Sequence, residues 1–300
     1  MTTTTQSARP VLGERIRHPL LGRQSHRLPV LLRRRYPTAL LAGGGMVLLL
    51  VLVMLLAPLM APYDMTKIAP ADRLQPPGWQ HIFGTDAFGR DLFSRVVYGS
   101  RVSIAVAVLT VAIAALPGIA LGTLAGMYTP VDRILTRLMD AWLAVPGLLL
   151  AIVMVAAFGR SVAVLALALG LIGLPTYYRQ TRAETLRVRG TLYVEAARSL
   201  GCREWHLLLH HVLPNTLPAL LVLISLRVGG MLLAIGALGF IGLGVQPPTP
   251  EWGALMAEGR DYLRQAWWLS FFPGSAIAIT VYAFNLLGDG LRDMLDPGTA

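Results

Sequence analysis

Six apolar runs divide this chain of 300 residues, near 38–61, 100–128, 138–158, 162–178, 217–243 and 271–287. Most approach the ~20 residues that a helix needs to cross the hydrocarbon core of a bilayer. No other feature limits the fold so tightly. In lipid every backbone polar group must be satisfied within the segment or by a closed barrel, and these runs are too long and too uniformly apolar for barrel strands. The expected fold is therefore an all-α polytopic membrane protein with six transmembrane helices. Composition agrees, since only 14% of residues are charged, against about 25% in soluble domains. Mean hydropathy is +0.59.

The runs carry their own punctuation. Pro58 and Pro62 mark the outer end of the first. Gly118, Gly122 and Gly126 form a small-xxx-small series on the second, which favours close helix packing. Pro146-Gly147 predicts a kink or break in the third. Arg227 lies deep in the fifth, where a charge is costly and is either structurally paired or part of a translocation path. The domain reading follows: a basic tail at 1–36, a first span and outer loop at 37–99, a core of five spans at 100–292 containing a polar loop at 181–216, and a C-terminus at 293–300.

Net charge is +10, and every basic residue but Lys67 is arginine. Eight arginines precede position 37, a cytoplasmic orientation signal rather than a nucleic-acid arm. With both termini, the 128–137 loop and the polar loop assigned to the cytoplasm, the basic residues divide 17 inside and 8 outside, with Arg227 in the membrane. The first run is too extended, and too far from the start, for a cleaved signal peptide and should remain as an anchor. The single cysteine, Cys202, forms no intrachain disulfide and reads as a small turn residue.

The polar loop is Tyr193-Val-Glu-Ala-Ala-Arg-Ser-Leu-Gly201-Cys-Arg-Glu-Trp-His-Leu-Leu-Leu-His-His-Val-Leu213-Pro214. Leu192, Ala196, Ala197 and Leu200 share one helical face. Gly201 supplies the left-handed position that ends a helix. A second short helix from about Glu204 follows, and Pro214 stands where the next span begins. Glu195-Ala196-Ala197, Gly201 and Leu213-Pro214 resemble the "EAA" signature of ABC importer permeases, with His211 where the signature usually has Ile. The resemblance implies a coupling helix seated in a groove of a separate ATPase subunit.

Two outer segments resemble, more narrowly, the C-type permeases for dipeptides, oligopeptides and nickel. One is Gly84-Thr-Asp86-Ala-Phe-Gly89-Arg90-Asp91, where Asp86 can cap and Arg90, Asp91 and Arg95 can pair at helical spacing. The other is Leu243-Gly-Val-Gln246-Pro247-Pro-Thr-Pro-Glu251-Trp252-Gly253. Gly84, Asp86, Arg90, Asp91, Gln246, Pro247, Glu251 and Trp252 are the expected contacts for an extracytoplasmic binding protein. Trp267-Trp268 fit an interfacial aromatic belt, and the ending Asn285-Leu-Leu-Gly288-Asp289-Gly290 completes a likeness that omits only the tail.

Some chemistry is excluded. The only lysine, Lys67, follows Met65-Thr66, so no Gly-x4-Gly-Lys-Ser/Thr phosphate loop exists here. His210-His211 are adjacent and do not share a helix face as a His-x3-His metal pair would. No Ser/His/Asp arrangement appears. The chain is expected to be a non-enzymatic pore subunit without a cofactor of its own, ATP and Mg being held by partner subunits. The resemblance implies a heterodimer with a related permease in the bacterial inner membrane, two ATPases, and a solute-binding protein. Peptides, nickel, metal–chelator complexes and glutathione-like solutes are all candidates. The competing reading is a self-contained secondary transporter or channel, which calls for inverted repeats and midplane ionisable groups. No clear repeat is visible.

Overall fold

The computed structural model describes residues 38–295. The basic tail expected at 1–36 and the end of the C-terminal segment lie outside the described residues. Ten α-helices carry the described residues: α1 Thr38–Met60, α2 Leu92–Met127, α3 Thr129–Leu143, α4 Gly147–Phe158, α5 Val162–Arg189, α6 Leu192–Ser199, α7 Glu204–Leu207, α8 Leu213–Phe240, α9 Trp252–Gly259 and α10 Trp268–Leu295. Among the described residues there is no strand, only an antiparallel bridge between Thr85 and Asp91.

Five helical segments are long and apolar enough to cross a membrane, in agreement with the first, second, fourth, fifth and sixth runs. Helix α2 begins at Leu92 rather than near Ser100, because the Asp91 carboxylate caps it through the Ser94 N–H at 2.8 Å. Asp86, expected to cap, instead holds two arginines. Helix α5 continues past Tyr178 to Arg189. Helix α8 is joined to α7 through a π-helical turn at Leu208–Val212, so one continuous rod of 37 residues runs from Glu204 to Phe240.

The third run differs most. It is two helices, α3 and α4, bent by 79° at the break before Gly147. Helix α4 has 12 residues and is apolar on all sides. Helix α3 is amphipathic and crosses α5: Arg182 makes a two-point ion pair with Asp132, its Nη2 lying 2.7 Å from Oδ2, and Arg179 reaches Asp140 at 2.7 Å. Between them the hydroxyls of Thr136 and Tyr178 meet at 2.8 Å.

Helices α2 and α5 form the densest pair. At Gly118, Gly122 and Gly126 an added Cβ would lie 2.6, 2.6 and 2.5 Å from Tyr177 Cβ, Tyr178 O and Thr185 Cβ. The small residues expected to serve packing thus let α5 approach α2 backbone to backbone. The main core gathers Leu92, Val106, Leu165, Tyr177, Leu232 and Trp252 around this pair. Helix α1 buries only Gly43 and Ala57. Its main partner is α10, where a Cβ on Gly43 would meet Leu287 N at 2.4 Å and one on Gly290 would meet Leu40 N at 2.3 Å.

Candidate functional site

The loop between α5 and α8 is built from its ends inward. Arg189, the last residue of α5, donates from Nη1 to the carbonyls of Gly126 and Met127 at 3.1 and 2.8 Å, which ties the loop to the end of α2. Helix α6 then leaves at a turn. Gly201 has φ +85° and its N–H donates to Arg198 O, while the Cys202 N–H donates to Ala197 O. This is the left-handed stop expected of Gly201. Arg198 then bridges to Glu204 at the start of α7, donating at 2.7 and 3.1 Å and clamping the two short helices together. That bond, more than any other influence, holds the Glu204 carboxyl below its ordinary value and the Arg198 guanidinium above its own.

Within α6 the anchor is Val194, fully buried among Met127, Val188, Leu208 and Val212. The face expected to carry Leu192, Ala196, Ala197 and Leu200 points mainly away from the protein: Leu192 is 83% and Leu200 87% exposed, and Trp205 adds 59% beside them. Glu195 and Ala196 are exposed, Ala197 is half-buried, Leu213 is half-buried and Pro214 is exposed at the start of α8. The loop presents an apolar patch on a frame it does not itself need for packing.

His206 and His210 stack with ring centroids 4.2 Å apart and planes 19° from parallel. Attention to the adjacent pair His210-His211 misses this one, although the His206-x3-His210 spacing is its signal. Among the described residues no group of three or more His, Cys, Asp or Glu side chains is placed to hold a metal ion.

At the other end, the motif charges are internal. Asp86 accepts from Arg90 Nε and Arg95 Nη1, both at 2.6 Å, and Glu258 accepts from Arg90 Nη2 at 2.9 Å and from Arg95 Nη1 and Nη2 at 2.6 and 3.0 Å. The expected pairing among Arg90, Asp91 and Arg95 does not form. Asp91 faces His81 at 2.8 Å and Ser94 instead. Glu258, which no local pattern marks, completes the clasp and binds α9 to the start of α2. Gly84 has φ +76° and lies against the Trp268 indole. Glu251, fully buried, accepts from the N–H groups of Gly253 and Ala254 and from Ser103 Oγ, and its burial pushes its carboxyl above the ordinary range. The Trp252 indole donates to Val96 O at 2.8 Å. Of the eight residues expected to meet a binding protein, only Gln246 and Pro247 are exposed. Trp79, entirely exposed, stands at the same end with Ile82 and Phe88.

Arg227 lies midway along α8, half-buried. Among the described residues no carboxylate pairs with it. The buried hydroxyl of Tyr177 on α5 has no hydrogen-bond partner among the described residues.

Long apolar helices braced at both ends, with an exposed apolar loop turned by glycine, describe a multi-pass helical membrane permease. The family model described as "Binding-protein-dependent transport system inner membrane component" matches residues 118–300, and that of the "N-terminal TM domain of oligopeptide transport permease C" matches 35–77. The chain belongs to the family of binding-protein-dependent transport system inner membrane components. It is 45% identical over 252 residues to the probable D,D-dipeptide transport system permease protein DdpC of Escherichia coli, covering 84% of this chain and 85% of that one. It is 42% identical to the glutathione transport system permease protein GsiD of Pectobacterium atrosepticum, over 85% and 86% of the two chains. It is 43% identical to the di/tripeptide transport system permease protein DppC of Pseudomonas aeruginosa, over 85% and 87%. The chain is a transmembrane permease subunit of such a transport system.

Proposed function

We propose that this chain forms half of the translocation path of an ATP-driven importer for short peptides, including glutathione-like solutes, in the bacterial inner membrane. The relatives named for D,D-dipeptide, glutathione and di/tripeptide transport support the solute class. A related permease supplies the other half, two ATPase subunits bind below, and an extracytoplasmic protein delivers the solute. The arginine balance supports a cytoplasmic position for both termini and the 191–214 loop.

The observation that carries this reading is the exposed apolar patch of Leu192, Leu200 and Trp205 around Glu195-Ala196-Ala197. Burying such side chains against a groove contributes about 1.5–3 kcal/mol each, so a partner that covers them is held firmly. Because the loop is pinned through Val194 and Arg189 to the ends of α2, α5 and α8, a partner that moves α6 moves the spans. Glu195, Ala196, Ala197 and Gly201 form the joint, with Leu213 and Pro214 at the base of the lever. The binding protein meets Gln246, Pro247 and the exposed Trp79 region, over a frame held by the buried Gly84, Asp86, Arg90, Asp91, Glu251 and Trp252. Arg227, with no carboxylate beside it among the described residues, offers its guanidinium to a solute carboxylate.

The test is purification of the tagged chain in mild detergent, identification of co-purifying subunits, and reconstitution into liposomes with the binding protein. Recovery of a second permease and ATPases, with uptake that requires ATP, is expected. Recovery of a homo-oligomer alone, with uptake driven by an ion gradient, would overturn the reading.

A further inference from the structure

The break between α3 and α4 falls within the third apolar run, which reads as crossing the membrane, yet nothing among the described residues covers it. The apolar stretch of α5 runs from Val162 to Tyr178, between Arg160 and Arg179. Gly147 packs against Ile172 within that stretch, where an added Cβ would meet Ile172 Cγ2 at 2.7 Å. Ile172 lies six residues inside the Tyr178 end, or ~9 Å along the helix. Helix α4, with 12 residues, covers about 18 Å of a hydrocarbon core that is ~30 Å thick. The remainder of the crossing is left open where α3 turns aside by 79°.

Residues 141–146 are all exposed. Among the described residues no donor reaches the carbonyls of Leu143, Ala144 and Val145. Irregular backbone with open carbonyls does not face lipid, because each unsatisfied group costs several kcal/mol there; it is tolerated where it is buried in protein or lines water. The exposed Asp140–Arg179 pair, with side chains 55% and 57% exposed, stands four residues from Ala144 and favours water over a dry protein contact.

The geometry points to the elbow at 143–146 as a solute-contacting segment of the translocation path, its three carbonyls accepting from N–H donors of a passing peptide, the terminal ammonium and amide groups. This rests on the importer reading above. Hydrogen-bond acceptors spaced along one bend suit a path that must hold peptides of differing side chains, because they address the backbone common to all.

The test uses the whole reconstituted complex, with Cys202→Ser as background and alanyl-alanine and glutathione as transported probes. Uptake is measured first, and its absence would count against the importer reading itself. Val145→Cys is then treated with a charged, membrane-impermeant maleimide, with Leu49→Cys on the exposed face of α1 as the lipid-side comparison. The expected result is modification of Val145→Cys but not Leu49→Cys, slowing of that reaction at least threefold by a transported probe, and loss of uptake once modified. A Val145→Cys thiol that reacts only after denaturation, in complexes that still take up the probes, would overturn the assignment. So would modification that leaves uptake unchanged.

Discussion

Arg95 on α2 grips Glu258 on α9 across 163 residues of chain, its Nη1 and Nη2 lying 2.6 and 3.0 Å from the two carboxylate oxygens. Arg90 shares the same carboxylate, and Asp86 is the only other anion in the clasp. Replacing Glu258 by alanine leaves two nearly buried guanidinium groups with one carboxylate. Because Glu258 is 26% exposed and Asp86 still pairs with both arginines, the cost lies below the roughly 3–5 kcal/mol of breaking a fully buried pair. Glu258→Ala is expected to lower the thermal midpoint of the detergent-solubilised protein clearly, and Glu258→Gln less, because its amide oxygen still accepts. Equal midpoints for Glu258→Ala and the wild type would show that the clasp holds nothing.

The turn at Gly201 separates strain from space. No atom lies within 4 Å of an added Cβ, but φ is +85°. A β-branched residue opposes that angle, and a left-handed residue other than glycine costs roughly 1–2 kcal/mol; asparagine tolerates it better. Gly201→Val is expected to reduce ATP-driven uptake at least tenfold while ATP hydrolysis persists, and Gly201→Asn to retain most uptake. Normal uptake by Gly201→Val would refute the role of this turn as a joint.

Helix α2 cannot accept side chains on its glycine series. Gly122→Leu would drive a Cβ to 2.6 Å from Tyr178 O, and backbone cannot yield as a side chain does. The variant is expected to fail to accumulate in membranes, whereas Gly44→Leu on α1, where nothing lies within 4 Å, accumulates normally. Quantitative immunoblotting of membrane fractions distinguishes the two.

The Arg198–Glu204 clamp is pH-dependent in a defined direction. Glu204 is depressed below its unfolded value of ~4.3, so its contribution is present above that value and is lost as pH falls through the lower folded value. Both side chains are a third or more exposed, 35% and 42%, which limits the effect to about 0.5 kcal/mol. Limited proteolysis with a protease active across the range should cleave the loop of Glu204→Gln roughly twice as fast as the wild type at pH 7, with the difference narrowing as pH is lowered below the ordinary carboxyl range. A difference that does not narrow on acidification would remove the ion pair as its cause.

Arg227 offers a sharper discrimination. Arg227→Ala is expected to lower peptide uptake severalfold with little loss of protein, and Arg227→Lys to restore part of it by keeping the charge. If the alanine variant instead fails to accumulate, the side chain serves packing.

What the sequence discloses follows from the range of the interactions. Spans, the break at Pro146-Gly147 and the stop at Gly201 are local, written in hydropathy and backbone restriction. The shortness of α4 is not, because an apolar count does not distinguish the amphipathic α3 from a spanning helix until Asp132 and Arg182 are seen to pair. The outer motif misleads for the same reason. Asp86, Arg90 and Glu251 look like surface charge, but the partner Glu258 and the Ser103 hydroxyl on Glu251 come from elements that meet only in the folded chain. The face shared by Leu192, Ala196, Ala197 and Leu200 is legible from spacing, but the inward anchor Val194 is not, because its partners Met127, Val188, Leu208 and Val212 come together only in the fold.

The glycine contact between α1 and α10 joins the first span of the chain to the last. During synthesis α1 enters the membrane while α10 has yet to be made. Its uniformly apolar surface lets it wait there without a partner, sheltered by lipid alone. Closure of Gly43 onto Leu287 therefore waits for α10, and a chain halted before Trp268 lacks that latch.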